Sequence, residues 1–335
     1  MAMALGYPLN SDLFNDDVTQ EPIRAGFGRG LKAAGEADPR VVALCADLTE
    51  STQMHHFKEA FPERFIEMGV AEQNLVTVAS GLARAGKIPF TSSYAAFSPG
   101  RNWEQIRTTI ALNDVPVKII GSHAGVSVGP DGATHQMLED IAIMRVLPNM
   151  VVLAPGDSIE AEKATRAIAE NGKPSYMRLA REKTPIFSTA DAPFEIGTAY
   201  VLREGQDVTL LGTGTMTYQL LVAAKQLASH GIEAEVVHVP TIKPLDETTI
   251  LASVRKTGRA VAAEEAQMAA GFGGAVAELL SGSLPTPLLR IGMDDRYGES
   301  GVPIELMAYF GLDGASVATK VKQFCDNTPR YHQGF

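Results

Sequence analysis

Glu72 stands at the head of a helix-forming run, in Met68-Gly69-Val70-Ala71-Glu72-Gln73-Asn74, with apolar Val70 and Leu75 close on either side. A carboxylate in apolar surroundings can hold or move a proton, whereas in the first turn of a helix it can equally serve the helix dipole alone. Three further segments offer comparable chemistry. Asp47-Leu48-Thr49-Glu50-Ser51 supplies two acids and two hydroxyls, although Asp47 could simply cap the next turn. Tyr94 and Phe97 precede the Pro99-Gly100-Arg101 turn, and such rings either face a flat ligand or pack into a core. The stretch His123 to His135, HAGVSVGPDGATH, is a glycine-rich loop holding His123, Asp131 and His135. Loops of this length are often functional. A metal could be read into those three residues, but their order matches no common ligand motif. The glycine spacing gives neither GxGxxG nor a phosphate-binding P-loop.

The elements that must position these groups alternate between short β-rich runs and helix-period stretches, the pattern of parallel sheets covered by helices. Arg40 to Ala46, Phe65 to Gly69, Lys87 to Ser92, Val117 to Ser122, Met150 to Ala154 and Ser175 to Leu179 are predicted strands. Ile23, Phe27 and Leu31 recur with helical spacing, Asn74 to Ala85 is a helix former, and Ser158 is the expected cap of a helix reaching about Asn171. Each of the four chemical segments includes a loop after a predicted strand, where open parallel sheets bind ligands. Residues Glu182 to Phe194 hold two prolines without periodicity and are predicted to be a linker. Beyond it, strands at Asp207 to Leu211, Ala234 to Val239, Arg259 to Ala263 and Leu288 to Ile291 imply a second α/β unit, with helices after Thr215, Asp246, Gly271 and Pro303. The fold class is therefore α/β, with two parallel or mostly parallel sheet domains and helices on both faces.

Composition bounds the function. A chain of 335 residues with 45% hydrophobic content suits two domains. A formal net charge of −10 disfavours nucleic acid or an anionic membrane as partner, so any anion site must be local. The apolar runs are strand-sized, no signal peptide is legible, and two distant cysteines, Cys45 and Cys325, suit a reduced cytoplasmic setting. Disulfides and structural zinc are not expected.

Taken together and in order, these segments resemble the pyrimidine-binding domain of transketolases, with GVAEQN (69–74) and GPDGATHQ (129–136) as the specific strings. The resemblance spans Arg24 to Arg181 and reaches the family's C-terminal domain through Pro240-Thr241-Ile242-Lys243-Pro244-Leu245-Asp246. It implies an N-terminal extension over 1–21, a pyrimidine-binding domain over 22–187, the end of a linker over 188–194, a C-terminal domain over 195–327 and a tail over 328–335. By the same resemblance Glu72 would bond the aminopyrimidine ring of thiamine diphosphate, favouring the tautomer that takes the proton from the thiazolium. Tyr94 and Phe97 would pack on that ring. The family's third aromatic is replaced by Gly100, a gap that Trp103 is expected to fill. Arg24, Ser51, His123 and Arg181 match a sugar-phosphate clamp, and Asp47, Asp131 and His135 match residues that recognise donor hydroxyls and assist proton movement.

One part of the family pattern is missing. Thiamine-diphosphate enzymes hold the diphosphate through a divalent metal, with a Gly-Asp-Gly start and a later Asn. Here the Asp-Gly pairs, at Asp131 and Asp313, follow Pro130 and Leu312, and Gly156-Asp157-Ser158 has serine where the motif's second glycine belongs. The expected metal ligands in this chain are therefore none. Mg²⁺ or Ca²⁺ is expected on an N-terminal transketolase subunit that carries the diphosphate-binding domain, in an α2β2 assembly acting on sugar phosphates. The resemblance implies ketol transfer from a ketose phosphate to an aldose phosphate. A deoxyxylulose-phosphate-synthase-like enzyme, a 2-oxo-acid dehydrogenase E1 β-like subunit and a non-catalytic regulatory subunit are the rivals. The glycine runs Gly212-Thr213-Gly214-Thr215 and Gly271-Phe272-Gly273-Gly274 open helices and suit close packing better than ligand binding.

Overall fold

The computed structural model describes residues 6–331. Val41–Cys45, the run VVALC, is buried along its whole length, as expected of a central parallel strand covered on both faces. It belongs to a seven-stranded sheet in the order Thr241–Lys243, Val151–Leu153, Ser175–Arg178, Lys118–Ser122, Ile88–Tyr94, Val41–Cys45, Phe65–Glu67. Every neighbouring pair is parallel except the first. From Val41–Cys45 the chain moves outward to Phe65–Glu67, then returns to the other side at Ile88–Tyr94 and continues to Lys118–Ser122. The crevice beyond the carboxyl ends of Val41–Cys45 and Ile88–Tyr94 is thus a topological switch point, the place where such sheets bind ligands. Register aligns the ends: Cys45 pairs with Ser92, and Tyr94 with Ser122. The segments after Cys45, Tyr94 and Ser122 consequently emerge at one edge.

Helices cover both faces. Ile23–Ala37 buries Ile23, Phe27, Leu31 and Ala34, as its spacing predicts. Glu72–Arg84 buries Leu75, Val76, Ala79 and Ala83 on the other face. Ser158–Glu170 forms as expected, but its cap is Asp157 rather than Ser158, because the Asp157 carboxylate accepts the Glu160 amide at 2.9 Å. The second sheet has five strands in the order Leu288–Met293, Ala260–Gln267, Val208–Gly212, Ala234–His238, Tyr200–Arg203. Its last strand is antiparallel. Helices Met216–Ala228, Glu247–Thr257, Phe272–Ser283 and Pro303–Tyr309 follow the predicted start points, and Gly314–Asn327 closes the set.

Two connections differ from expectation. Residues 182–194 are not a free tether: Lys183–Pro185 pairs antiparallel with Gln20–Pro22, Phe187 is buried, and the Phe187 and Ser188 amides both donate to Asp157. The other is Thr241–Lys243, which leaves the second domain and joins the first sheet against Val151–Leu153. Leu44 and Leu75 of the first domain and Leu211 and Phe272 of the second belong to one hydrophobic cluster, so the two domains share a core.

Candidate active site

Glu72 is the first residue of its helix and only 2% exposed. The Asn102 side-chain amide donates to its backbone carbonyl at 2.8 Å, fixing the helix start from a separate loop. Arg101 Nη1 donates to Glu72 Oε2 at 2.9 Å and gives the buried carboxylate a counter-charge. Leu75 and Val76 are buried beside it, whereas Val70, expected to share that burial, is exposed. The helix therefore starts at the surface and carries the carboxylate inward.

Tyr94 ends its strand, and Phe97 lies in the turn that follows. Their ring centroids are 6.1 Å apart with planes 21° from parallel. The Arg101 guanidinium stands 5.2 Å from the Phe97 centroid, which links the aromatic pair to Glu72. Gly100 has a structural cause: a β-carbon there would run into the Ala96 carbonyl oxygen, so the loop has no room for an aromatic at that position. Trp103 does not fill the gap as expected. Its indole packs against the domain core and its Nε1 donates to the Ile143 carbonyl at 2.7 Å. Imidazoles complete the aromatic group instead. His123 stacks on Tyr94 at 3.9 Å, and His135 stands edge-on to Phe97 at 5.4 Å.

Asp47 and His123 follow two central strands and both have positive φ, 58° and 57°. Non-glycine residues adopt that conformation at a cost and cluster at functional sites. Asp47 is exposed; its amide donates to Glu67 Oε1 at 2.7 Å, and its carboxylate caps no turn among the described residues. His123 is buried, with Nδ1 at 2.9 Å from Ser122 Oγ. Burial first, then the positive charges of Arg24 and Arg181, and then His135, push His123 down to about 3. The imidazole is therefore neutral near physiological pH.

Arg24 donates through Nη1 to the Ser51 carbonyl, while its Nε is buried without a hydrogen-bond partner. Burial, and next the charge of Arg181, hold it below its ordinary value. Arg181 Nη1 donates to the Val128 carbonyl at 2.9 Å and lies 3.1 Å from Glu182. Two guanidinium groups within electrostatic reach of each other, one with an unsatisfied N–H, form an arrangement that an oxyanion relieves. Ser51 joins them through its backbone. Asp131 is exposed at the end of a short 3₁₀ turn, Val126–Asp131, inside the predicted loop, and His135 Nδ1 is 2.9 Å from Thr134 Oγ1. The switch-point edge thus gathers Glu72, Tyr94, Phe97, His123 and His135 through ring and ion-pair contacts, with Arg24 and Arg181 within charge range of His123. The Asp131 carboxylate makes no hydrogen bond or ion pair with them among the described residues. Nor, among those residues, do three or more His, Cys, Asp or Glu form a group able to hold a metal.

Sequence reasoning missed how Arg101 is used and did not single out Glu265, whose carboxylate accepts the Ser127 amide at 2.7 Å. Arg101 could have been found as the one cation in the aromatic segment. Glu265 leaves no such signal, because its partner lies in the other domain.

Residues 20–186 match the model of the transketolase pyrimidine-binding domain, and residues 197–317 that of the transketolase C-terminal domain. A protein named "Putative transketolase C-terminal section" from Methanocaldococcus jannaschii is 45% identical over 304 residues, covering 90% of this chain and 95% of the relative. A 6-deoxy-6-sulfo-D-fructose transketolase subunit from Clostridium sp. is 42% identical, covering 84% of this chain and 88% of its own. Among solved structures, a split-gene transketolase described as an inactive β4 tetramer superposes with a TM-score of 0.85 at 43% identity, covering 91% of this chain and 98% of that one.

Proposed function

This chain belongs to the transketolase family as its C-terminal section, and on that footing we propose that it is the cofactor-activating, substrate-gripping subunit of a two-subunit transketolase. The reaction is transfer of a two-carbon ketol unit from a ketose phosphate to an aldose phosphate. The observation that carries this reading is the buried Glu72 carboxylate, set beside the Tyr94–Phe97 ring pair at the switch point.

The family's cofactor is thiamine diphosphate, and the residues fit its pyrimidine half. A buried carboxylate can take a ring N–H, and the aromatic faces suit a flat heterocycle. When bound, the cofactor supplies the thiazolium carbon that carries the two-carbon unit. Glu72 holds the proton at the pyrimidine ring, and Arg101 holds Glu72. Tyr94 and Phe97 orient the ring. Arg24 and Arg181, with the Ser51 and His123 positions, grip the phosphate of the sugar. Asp47, Asp131 and His135 address the donor's hydroxyls, with His135 and Asp131 moving protons there.

The diphosphate and its Mg²⁺ or Ca²⁺ belong in this proposal to an N-terminal subunit, within an α2β2 assembly in the cytoplasm. The relative described as an inactive β4 tetramer supports that division, since a homotetramer of the homologous section lacks activity. The test is ketol transfer from xylulose 5-phosphate to ribose 5-phosphate with thiamine diphosphate and Mg²⁺. Activity is expected only when this chain is mixed with an N-terminal subunit, and activity of this chain alone overturns the proposal. One second reading is a deoxyxylulose-phosphate-synthase-like reaction, favoured by similarity to enzymes of that name that are 35–38% identical to this chain. Carboligation of pyruvate with glyceraldehyde 3-phosphate by the same mixture would select it.

A further inference from the structure

The loop from His123 to His135 belongs to the first domain, yet much of what holds it comes from the second. Glu265 lies on the strand Ala260–Gln267 and is 2% exposed. Its Oε1 accepts the Ser127 amide at 2.7 Å, and its Oε2 accepts the Thr215 hydroxyl at 2.7 Å. It also shapes the loop's entry. Gly125 has φ 91°, and a β-carbon there would run into Glu265 Oε1. One residue beyond Ser127, the Val128 carbonyl accepts from Arg181 Nη1 at 2.9 Å. A short chain of contacts therefore runs from a carboxylate of the C-terminal domain, through the Ser127 amide and the carbonyl of the following residue, to a guanidinium of the oxyanion clamp. The far end of the loop is fastened by Gln136, whose Nε2 donates to the Val126 and Gly129 carbonyls at 3.2 and 3.1 Å and to the Glu299 carbonyl at 2.8 Å.

We propose that Glu265 is a positioning residue for the oxyanion clamp: by fixing the Ser127 amide it sets where the Val128 carbonyl, and hence the Arg181 guanidinium, stands. The inference rests on the transketolase reading above. Glu265 acts through the loop and not by touching substrate or cofactor. Its effect follows from geometry, because an arginine fork recognises an oxyanion only within a narrow range of position and angle. A buried carboxylate with both oxygens engaged by an amide and a hydroxyl is a rigid anchor for that purpose. The C-terminal domain then acts on substrate affinity from behind the loop.

The test uses the complete two-subunit enzyme and two donors, xylulose 5-phosphate and the phosphate-free ketose L-erythrulose. Glu265→Ala should raise KM for xylulose 5-phosphate about tenfold or more while changing KM for erythrulose less than about threefold. Glu265→Gln should restore most of the loss, since its carbonyl can accept the Ser127 amide and its NH₂ can donate to Thr215. Should Glu265→Ala not assemble, Glu265→Asp retracts the carboxylate by one methylene and should show the same donor-selective loss in smaller measure. In an Arg181→Ala background, the same Glu265 substitution should add little further loss, because both act through one guanidinium. Equal losses for both donors, no rescue by Gln, or full additivity with Arg181→Ala overturns the positioning role while leaving the transketolase reading intact. A wild-type complex inactive with both donors removes that reading and this inference with it.

Discussion

His123 should make the protein acid-sensitive by a calculable amount. Its imidazole is 2% exposed and neighbours two guanidinium charges, so the folded chain takes up a proton there only near 3, against 6.5 for a free histidine. Between those values the unfolded chain binds more protons than the folded one, and acid favours unfolding. The associated stability is fully present above about pH 6.5 and falls away as the pH drops toward about 3. At about pH 5 the loss from this one group is about 2 kcal/mol, since each pH unit below the unfolded value costs about 1.4 kcal/mol. The perturbation is His123→Asn, which keeps a polar group beside Ser122 and removes the titration. Urea unfolding of both proteins at about pH 7.5 and about pH 5 gives two acid-induced losses, and the wild type's should exceed the variant's by about 2 kcal/mol. Saturating inorganic phosphate should shrink that excess, because an anion held by the arginines offsets the repulsion that imidazolium meets. Equal acid losses in the two proteins, within about 0.5 kcal/mol, would refute the burial of His123 within range of the two guanidinium charges.

Glu72→Ala should lower ketol transfer by about 10²-fold or more while the circular dichroism spectrum and assembly stay unchanged. Retention of more than about a tenth of the activity would remove Glu72 from the chemistry. Gly100→Ala should destabilise the protein by about 1–3 kcal/mol, because its new methyl group meets a backbone oxygen that cannot move without the turn; an unchanged thermal midpoint would contradict the tight loop. Restoring an aromatic, as Gly100→Phe, should cost at least as much and should not improve cofactor affinity.

The central strands were legible because each is a buried apolar run bounded by polar or glycine-rich residues; Val41–Cys45 and Lys118–Ser122 lie within the spans predicted for them. Short edge pieces were not. Gln20–Pro22, Lys183–Pro185 and Thr241–Lys243 have three residues each, hold prolines or charges, and are strands only because of what they meet in space. At the site, residue types and order pointed to Glu72, Tyr94, Phe97 and the clamp, since each lies near the end of a strand or the start of a helix. What they lean on was hidden. Trp103 was expected among the cofactor-facing rings because of its neighbours in sequence, but an indole N–H with a carbonyl in reach is drawn to the core, here to Ile143. Glu265 reaches Ser127 across 138 positions, and no local pattern marks such a partner.

The strand Thr241–Lys243 has a consequence for how the chain is made. It caps the edge strand Val151–Leu153, and Lys243 Nζ is anchored on the Arg145 and Leu147 carbonyls of the first domain. During synthesis, the strands of the first sheet emerge from the ribosome before this one does, so Val151–Leu153 waits with an unpaired edge until the opening part of the second domain has been translated. An exposed edge invites pairing with other nascent chains. A truncated first domain ending near residue 195 would keep that edge permanently open and should aggregate, however complete its own secondary structure. The two domains are separate in sequence but share one folding endpoint.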